Sequence, residues 1–128
     1  MNIPFSPPDI TEEEIEAVAE VMRSGWITTG PKTKELERKM AEFTHTNRGV
    51  CLNSATSCME MALRLFEIGP GDEVIVPAYT YTASASVVCH VGATLRLVDV
   101  EKGTFHIDYA AVESMINENT KAIIPVDL

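Results

Sequence analysis

Apolar residues near the start of the chain recur with the spacing of an amphipathic helix. From Ile15 to Met22 they return every three or four positions, which is the period of one helix face. Thr11, with Glu14 three residues later, forms a capping box just before this stretch. Gly25 is a typical residue at a helix end. The pattern therefore predicts a first helix that starts after Thr11 and stops before Gly25.

A second helix is predicted to begin at Pro31, because proline suits the first helical position, and to end within residues 44–47. A short loop at residues 26–30 separates the two helices. Residues 1–10 contain three prolines and predict an extended arm, because proline favours extended backbone. We assign residues 1–46 to an N-terminal arm followed by two helices.

The remaining residues, 47–128, alternate between short apolar runs and helical patterns. The apolar runs predict strands at 49–52, 73–76, 94–98 and 122–126. Helices are predicted at 56–67 and 81–91, with a third capped by Asp108. This order favours an α/β fold with three layers, in which helices cover both faces of a mostly parallel sheet. Because no helix follows the last strand to cover it, we expect the sequence to be a truncated piece of a longer protein.

Composition and charge narrow the function classes. The chain has 128 residues and a net charge of −9, which disfavours nucleic acid and anionic membranes as partners. No apolar run approaches the length of a membrane span. The three cysteines are odd in number, lack zinc-site spacing and predict buried free thiols, which fit a reducing cytoplasm. The three histidines share no spacing, so no metal site is predicted.

The first candidate site lies between strand 49–52 and the helix after it. Small and hydroxyl residues at a helix start leave backbone N–H groups free to face an anion, and the helix dipole favours negative charge. Residues 53–57, with the hydroxyls of Thr56 and Ser57, are therefore a candidate phosphate site. Simple helix capping by Ser54 or Thr56 would explain the same residues.

Two further segments follow strand ends, where open α/β sheets bind ligands. Residues 77–82 contain Tyr79 and Tyr81, and an aromatic ring there could stack on a flat ligand held by the first segment. Alternatively, both tyrosines pack between elements. Asp99 follows the third strand and is either a polar orienting group or part of an ordinary acidic turn.

Taken together, the sequence resembles the nucleotide-sugar aminotransferases of the DegT/StrS type, which are fold-type-I enzymes that use pyridoxal phosphate (PLP). The resemblance runs nearly end to end. It rests on residues 4–10, Ser24-Gly25-Trp26-Ile27-Thr28-Thr29-Gly30-Pro31, Asn53-Ser54-Ala55-Thr56, residues 68–77 and residues 120–126. It implies that residues 47–128 are the N-terminal part of the PLP-binding major domain.

The resemblance also implies roles for particular residues. Ala55, Thr56 and Ser57 would bind the PLP phosphate, and Tyr81 would stack on the pyridine ring. A loop near the sugar substrate, close to the interface of a homodimer, would contain Trp26, Thr28, Thr29 and Gly30. Two positions depart from the family pattern: Ala55, where glycine is common, and Asp127, where many members have histidine.

The reaction implied by the resemblance is amino transfer to a keto-sugar nucleotide, with glutamate as donor, in sugar or polysaccharide biosynthesis. The Schiff-base lysine and the aspartate that pairs with the pyridine nitrogen would lie beyond Leu128. PLP chemistry needs that lysine, so we expect this chain alone to be inactive. Two alternatives stay open: a PLP-dependent sugar dehydratase of the same family, and a non-catalytic α/β module that binds a phosphorylated ligand.

Overall fold

The computed structural model describes residues 6–127 and divides the chain into two compact units, Met1–Cys51 and Leu52–Leu128. Residues 1–5 of the predicted arm lie outside the described part, as does Leu128. The helices are α1 (Glu12–Ser24), α2 (Pro31–Phe43), α3 (Ala55–Leu65), α4 (Ala83–His90) and α5 (Tyr109–Met115). The strands are β1 (Glu73–Pro77), β2 (Thr94–Val98) and β3 (Thr120–Ile123).

The first unit confirms both predicted helices and their ends. Thr11 Oγ1 accepts a hydrogen bond from the Glu13 N–H, and the Glu14 carboxylate accepts one from the Thr11 N–H at 2.6 Å. The Thr11 hydroxyl, which also donates to the Glu14 carboxylate, and then the Thr11 N–H hold the pKa of Glu14 below its usual value, because hydrogen bonds to a carboxylate favour its charged form. α1 ends at Gly25, whose φ of 73° is left-handed.

The second unit is built on a parallel sheet with the strand order β2-β1-β3. β1 is central, and Glu73 at its start lies opposite Thr94 of β2 and Thr120 of β3. Parallel pairing and covering helices were predicted from the continuous apolar strands, and both are confirmed. The middle of β1, residues 74–76, is fully buried, as expected for a parallel strand covered on both faces.

The two faces of this sheet carry separate cores. Val74 and Val76 pack with Val87 and Val88 of α4, together with Leu63, Ile68 and Ala93. Ile75 points to the other face, where it packs with Val98, Ile107 and Val112 of α5. Neighbouring residues of a strand point to opposite faces, so α4 and α5 cover opposite sides of the sheet.

The predicted strand at residues 49–52 does not form. Val50 is 74% exposed, and the Cys51 N–H donates to the Glu37 carboxylate at 3.0 Å instead of to a strand neighbour. A strand needs a neighbouring backbone as well as apolar side chains, and no strand in the described part of the chain pairs with these residues. The described sheet therefore has three strands rather than four.

The last strand lies earlier than predicted, at Thr120–Ile123 rather than 122–126. Its start is set by pairing with Glu73 of β1, so polar Thr120 and Lys121 belong to the strand. The ladder continues through the Ile124 N–H, which donates to the Ile75 carbonyl at 2.9 Å. Pro125 has no N–H with which to extend it.

The structure also bears on the expectations about the cysteines and about membrane spans. Cys58 and Cys89 are exposed and only Cys51 is half-buried, so the prediction of buried thiols was wrong. All three are free. Across residues 6–127, no helix is long and apolar enough to cross a lipid bilayer.

Candidate functional site

The first turn of α3 carries the candidate phosphate site. Ser54 is the N-cap in extended backbone, and its Oγ accepts a hydrogen bond from the Ser57 N–H at 3.1 Å. Capping by Ser54 is therefore confirmed, and capping by Thr56 is not observed. The cap satisfies only one of the N–H groups that a helix start leaves without partners.

The cap leaves donors available beside it. Within residues 6–127, the N–H groups of Ala55 and Thr56 and the Thr56 hydroxyl have no hydrogen-bond partner. The first turn contains no acidic residue. Free N–H groups at the positive end of an 11-residue helix fit a phosphate group, so capping and anion binding are compatible at this turn.

The segment after β1 carries the candidate stacking residue. The Ala78 N–H donates to the Val98 carbonyl at 2.8 Å, and the hydroxyls of Thr80 and Ser84 lie 3.0 Å apart. These contacts hold both ends of residues 78–84. Tyr81 lies between them and is 82% exposed. It does not pack between elements, so that alternative is wrong for Tyr81.

Tyr79 has a partner that sequence reasoning missed. Its ring stacks on Phe105, with the ring centroids 4.8 Å apart and the ring planes at 23°. Phe105 lies in the loop between β2 and α5, and its one sequence signal was an aromatic residue in an otherwise polar turn. The stack joins the segments that follow β1 and β2 at the carboxyl edge of the sheet.

Asp99 forms an ordinary turn. Its Oδ1 accepts a hydrogen bond from the Val100 N–H at 2.8 Å, and its carbonyl accepts one from the Asp108 N–H at 3.2 Å. Asp108 in turn caps α5, because its Oδ1 accepts from the Ala111 N–H at 2.9 Å. The two aspartates shape the base of the loop, as the acidic-turn alternative predicted.

The loop predicted to lie near the substrate belongs to the first unit. The Trp26 indole N–H donates to the Thr29 carbonyl at 3.0 Å, and Gly30 is buried against the indole ring. Thr28 is exposed. A cavity of about 480 Å³ opens beside this loop, and its wall comes from Glu20, Val21, Ser24, Trp26, Ile27, Thr28, Gly30, Pro31, Lys32 and Thr33.

A carboxylate with two charged or titratable partners lies on α3. Glu60 accepts hydrogen bonds from Arg64 at 2.7 Å and contacts His90 Nδ1 of α4 at 2.9 Å. The Arg64 bond, followed by the His90 contact, lowers the pKa of Glu60 below its usual value. This cluster joins two helices. Across residues 6–127, no group of three His, Cys, Asp or Glu side chains could hold a metal ion.

Residues 8–128 match the family model of the DegT/DnrJ/EryC1/StrS aminotransferases. The chain belongs to this family. It is 45% identical over 124 residues to a UDP-4-amino-4-deoxy-L-arabinose–oxoglutarate aminotransferase of Shewanella sediminis. The matched region covers 97% of this chain and 32% of that relative. The resemblance first seen in residues 4–10, 24–31, 53–56, 68–77 and 120–126 is thus confirmed.

Solved structures agree on the fold. A candidate sugar aminotransferase from Streptococcus pneumoniae, in its PLP form, is 63% identical with a TM-score of 0.90, over 98% of this chain and 32% of that one. The same protein has also been solved in a form with pyridoxamine phosphate (PMP). The GDP-4-keto-6-deoxy-D-mannose-3-dehydratase of E. coli has a TM-score of 0.89 at 24% identity, over 99% of this chain and 34% of that one, which shows the fold alone.

These matches confirm the predicted α/β fold of the fold-type-I class. They also support pyridoxal phosphate as the cofactor of the family. The chain spans about a third of the length of the relatives it matches.

Proposed function

We propose that the whole protein is a PLP-dependent aminotransferase that moves an amino group from glutamate to a keto-sugar nucleotide. Family membership and the name of the Shewanella relative support the reaction and the substrate class. Within this chain, the proposal assigns the cofactor phosphate to Ala55, Thr56 and Ser57, and the cofactor ring to Tyr81. The substrate sugar is assigned to the loop of Trp26, Thr28, Thr29 and Gly30, in a homodimer.

The observation that carries the proposal is the first turn of α3. Its free N–H groups and the Thr56 hydroxyl are donors for a phosphate dianion, and the cap at Ser54 fixes their direction. Ser57 contributes its hydroxyl, which already lies 3.0 Å from Ser54 Oγ. Ala55 lacks a side-chain donor and contributes its backbone N–H.

Tyr81 supplies the second half of the assigned site. Its ring is exposed, while the backbone on either side is held by hydrogen bonds. An open aromatic face on a fixed segment suits offset stacking on a flat heteroaromatic ring. Pyridoxal phosphate, when bound, would supply the electron sink for amino transfer, and Thr56 would hold its phosphate and Tyr81 its ring.

Binding of pyridoxamine phosphate to the whole protein, freed of cofactor, tests these assignments. This probe carries the phosphate and the ring but forms no imine with stray lysines. Thr56→Val is expected to weaken binding about tenfold or more, because a hydrogen bond to a charged group contributes about 1.5–3 kcal/mol. Tyr81→Ala should weaken binding about threefold to tenfold, whereas Tyr81→Phe should bind like the wild type. Unchanged affinity in both Thr56→Val and Tyr81→Ala would contradict the assignments.

Position 54 offers a control that separates capping from charge. Asparagine and aspartate both cap helices well, and they differ by one negative charge. Ser54→Asn and Ser54→Asp should therefore have similar unfolding free energies. Only the aspartate variant should lose affinity for pyridoxamine phosphate, by about tenfold at low salt, because two negative charges meet at one helix end. Equal affinity of the two variants would place the phosphate elsewhere.

A dehydratase is a second candidate, because the E. coli dehydratase has the same fold. Product analysis separates the two activities. An aminotransferase yields an amino sugar, whereas a dehydratase yields a deoxy-keto sugar and releases the nitrogen of the donor as ammonia.

A further inference from the structure

The stack between Tyr79 and Phe105 joins two loops that leave neighbouring strands. Tyr79 is two residues beyond the end of β1, and Phe105 is seven residues beyond the end of β2. Both residues are more than half exposed, at 53% and 62%. Burial alone therefore does not explain the pair. Aromatic pairs at this separation add stabilisation beyond the area they bury.

Phe105 stands on a rigid support. An antiparallel bridge joins Val100 to Ile107, and the Glu101 N–H donates to the His106 carbonyl at 2.9 Å. The Thr104 N–H closes the tip of the loop by donating to the Glu101 carbonyl at 3.0 Å. Ile107, two residues after Phe105, is buried in the core with Ile75, Val98 and Val112. The ring of Phe105 is thus held relative to the sheet.

Tyr79 belongs to a segment that is held at both ends and also at Tyr81, whose carbonyl accepts a hydrogen bond from the Ser84 N–H at 3.1 Å. The Ala78 N–H bonds to Val98 before it, and the Thr80 hydroxyl meets Ser84 after it. Tyr81 follows within the same segment and has no aromatic partner in the described part of the chain. The Phe105 stack adds a restraint on the Tyr79 side chain, two residues before Tyr81.

We infer that Phe105 is a positioning residue for the cofactor ring. By stacking on Tyr79, it fixes the segment after β1 so that Tyr81 presents its ring face to the pyridine of the cofactor. Phe105 itself touches neither cofactor nor substrate in this role. The inference rests on the proposed function, because it takes Tyr81 to be the stacking residue.

The experiment is a double-mutant cycle in the whole protein, with two readouts. The first is the dissociation constant of pyridoxamine phosphate, and the second is the near-ultraviolet circular dichroism of the bound cofactor. Phe105→Leu removes the planar ring but keeps an apolar side chain.

We expect Phe105→Leu to weaken binding of pyridoxamine phosphate about threefold to tenfold and to change the dichroism band. Phe105→Tyr should restore both. Phe66→Leu is the matched control, because Phe66 is another exposed aromatic residue of the same unit and lies outside the stack.

The second half of the cycle tests the route through Tyr81. In a Tyr81→Leu background, Phe105→Leu should cause little further loss, because the ring that it positions is gone. An undiminished loss in that background would overturn the inference. So would a Phe105→Leu protein with wild-type affinity and dichroism while Tyr81→Leu binds weakly. If Tyr81→Leu itself binds like the wild type, the assigned role of Tyr81 fails, and the inference fails with it.

Discussion

At the residue scale, Gly30 shows how a missing side chain shapes the loop assigned to the substrate. A Cβ atom at this position would lie 2.3 Å from Trp26 Cδ1 and 2.4 Å from Trp26 Nε1. The indole is held in place by its hydrogen bond to the Thr29 carbonyl. The backbone of Gly30 is extended, with φ at −153°, so space rather than conformation requires glycine here.

Gly30→Ala is expected to lower the free energy of unfolding by about 1–3 kcal/mol, the usual cost of forcing an extra methyl into a packed site. Denaturant unfolding of the chain measures this loss, and fluorescence of Trp26, its one tryptophan, reports the displaced indole. Gly69→Ala is the control, because a Cβ there would meet only the Val91 carbonyl oxygen at 3.6 Å. Equal stability of the Gly30 and Gly69 variants would show that the indole moves aside freely.

The positions of some residues of the proposed site could be predicted from sequence, and those of others could not. Tyr81 lies four residues beyond the end of β1, so its place after that strand required only the alternation of strands and helices. Thr56 was placed by the start of a helical pattern, although the strand expected before it does not form. Phe105 lies in a ten-residue loop, and its contact with Tyr79 depends on how two loops meet in space. The local sequence around Tyr79 or Phe105 does not predict that their rings come into contact.

At the element scale, α3 and α4 are joined through Glu60. Its carboxylate lies between Arg64 of α3 and His90 of α4. The apolar contacts of Leu63 with Val87 and Val88 lie in the same core. The carboxylate therefore adds a polar link to a packed helix pair, and its charge state depends on pH.

The link should make stability depend on pH in the acidic range. The pKa of Glu60 is lowered from about 4.5 in the folded protein, so its stabilising effect is present above that value. The effect disappears as pH falls through the lower folded pKa. We expect Glu60→Gln to reduce the unfolding free energy near pH 6 and to match the wild type at strongly acidic pH.

Urea titrations at several pH values measure this difference. Glu113→Gln is the control, because the Glu113 carboxylate has no hydrogen bond within residues 6–127. A loss in Glu60→Gln that stays constant down to pH 3 would contradict the link.

Sequence patterns predicted the starts of the helices better than they predicted the strands. Capping residues Thr11 and Asp108 predicted helix starts because a cap acts on its own first turn. The apolar run 49–52 predicted a strand that does not form, because pairing depends on a neighbouring backbone that the run does not contain. Thr120 was missed for the opposite reason, since β1 pairs with it despite its polar side chain.

At the scale of the whole molecule, large apolar side chains remain exposed along helix faces. Ile15, Val18 and Met22 of α1 are exposed, as are Leu36, Met40 and Phe43 of α2. Faces of this kind are normally covered in folded proteins. The apolar faces favour self-association of the chain. The net charge of −9 opposes it, because molecules of like charge repel each other.

We expect the isolated chain to bind the dye ANS and to self-associate in high salt, where charge repulsion is screened. Val18→Glu should reduce both effects, because it places a charge in the middle of the apolar face of α1. Ala17→Glu adds the same charge to an exposed position outside that face and is the control. Dye fluorescence and sedimentation velocity provide the two measurements. Identical behaviour of the two variants would rule out this face as the cause.

The placement of α4 and α5 on opposite faces has a consequence for divergence within the family. The chain leaves β1 towards one face and β2 towards the other, so loops that start at the same carboxyl edge lead to helices on opposite faces of the sheet. In open α/β sheets, ligands bind where the exits of neighbouring strands lead to opposite faces. Residues 101–106 lie beyond the Val100–Ile107 bridge, where insertions leave the β1–β2 ladder intact. Insertions or deletions in this loop can therefore change the surroundings of the Tyr79–Phe105 stack without rebuilding the sheet.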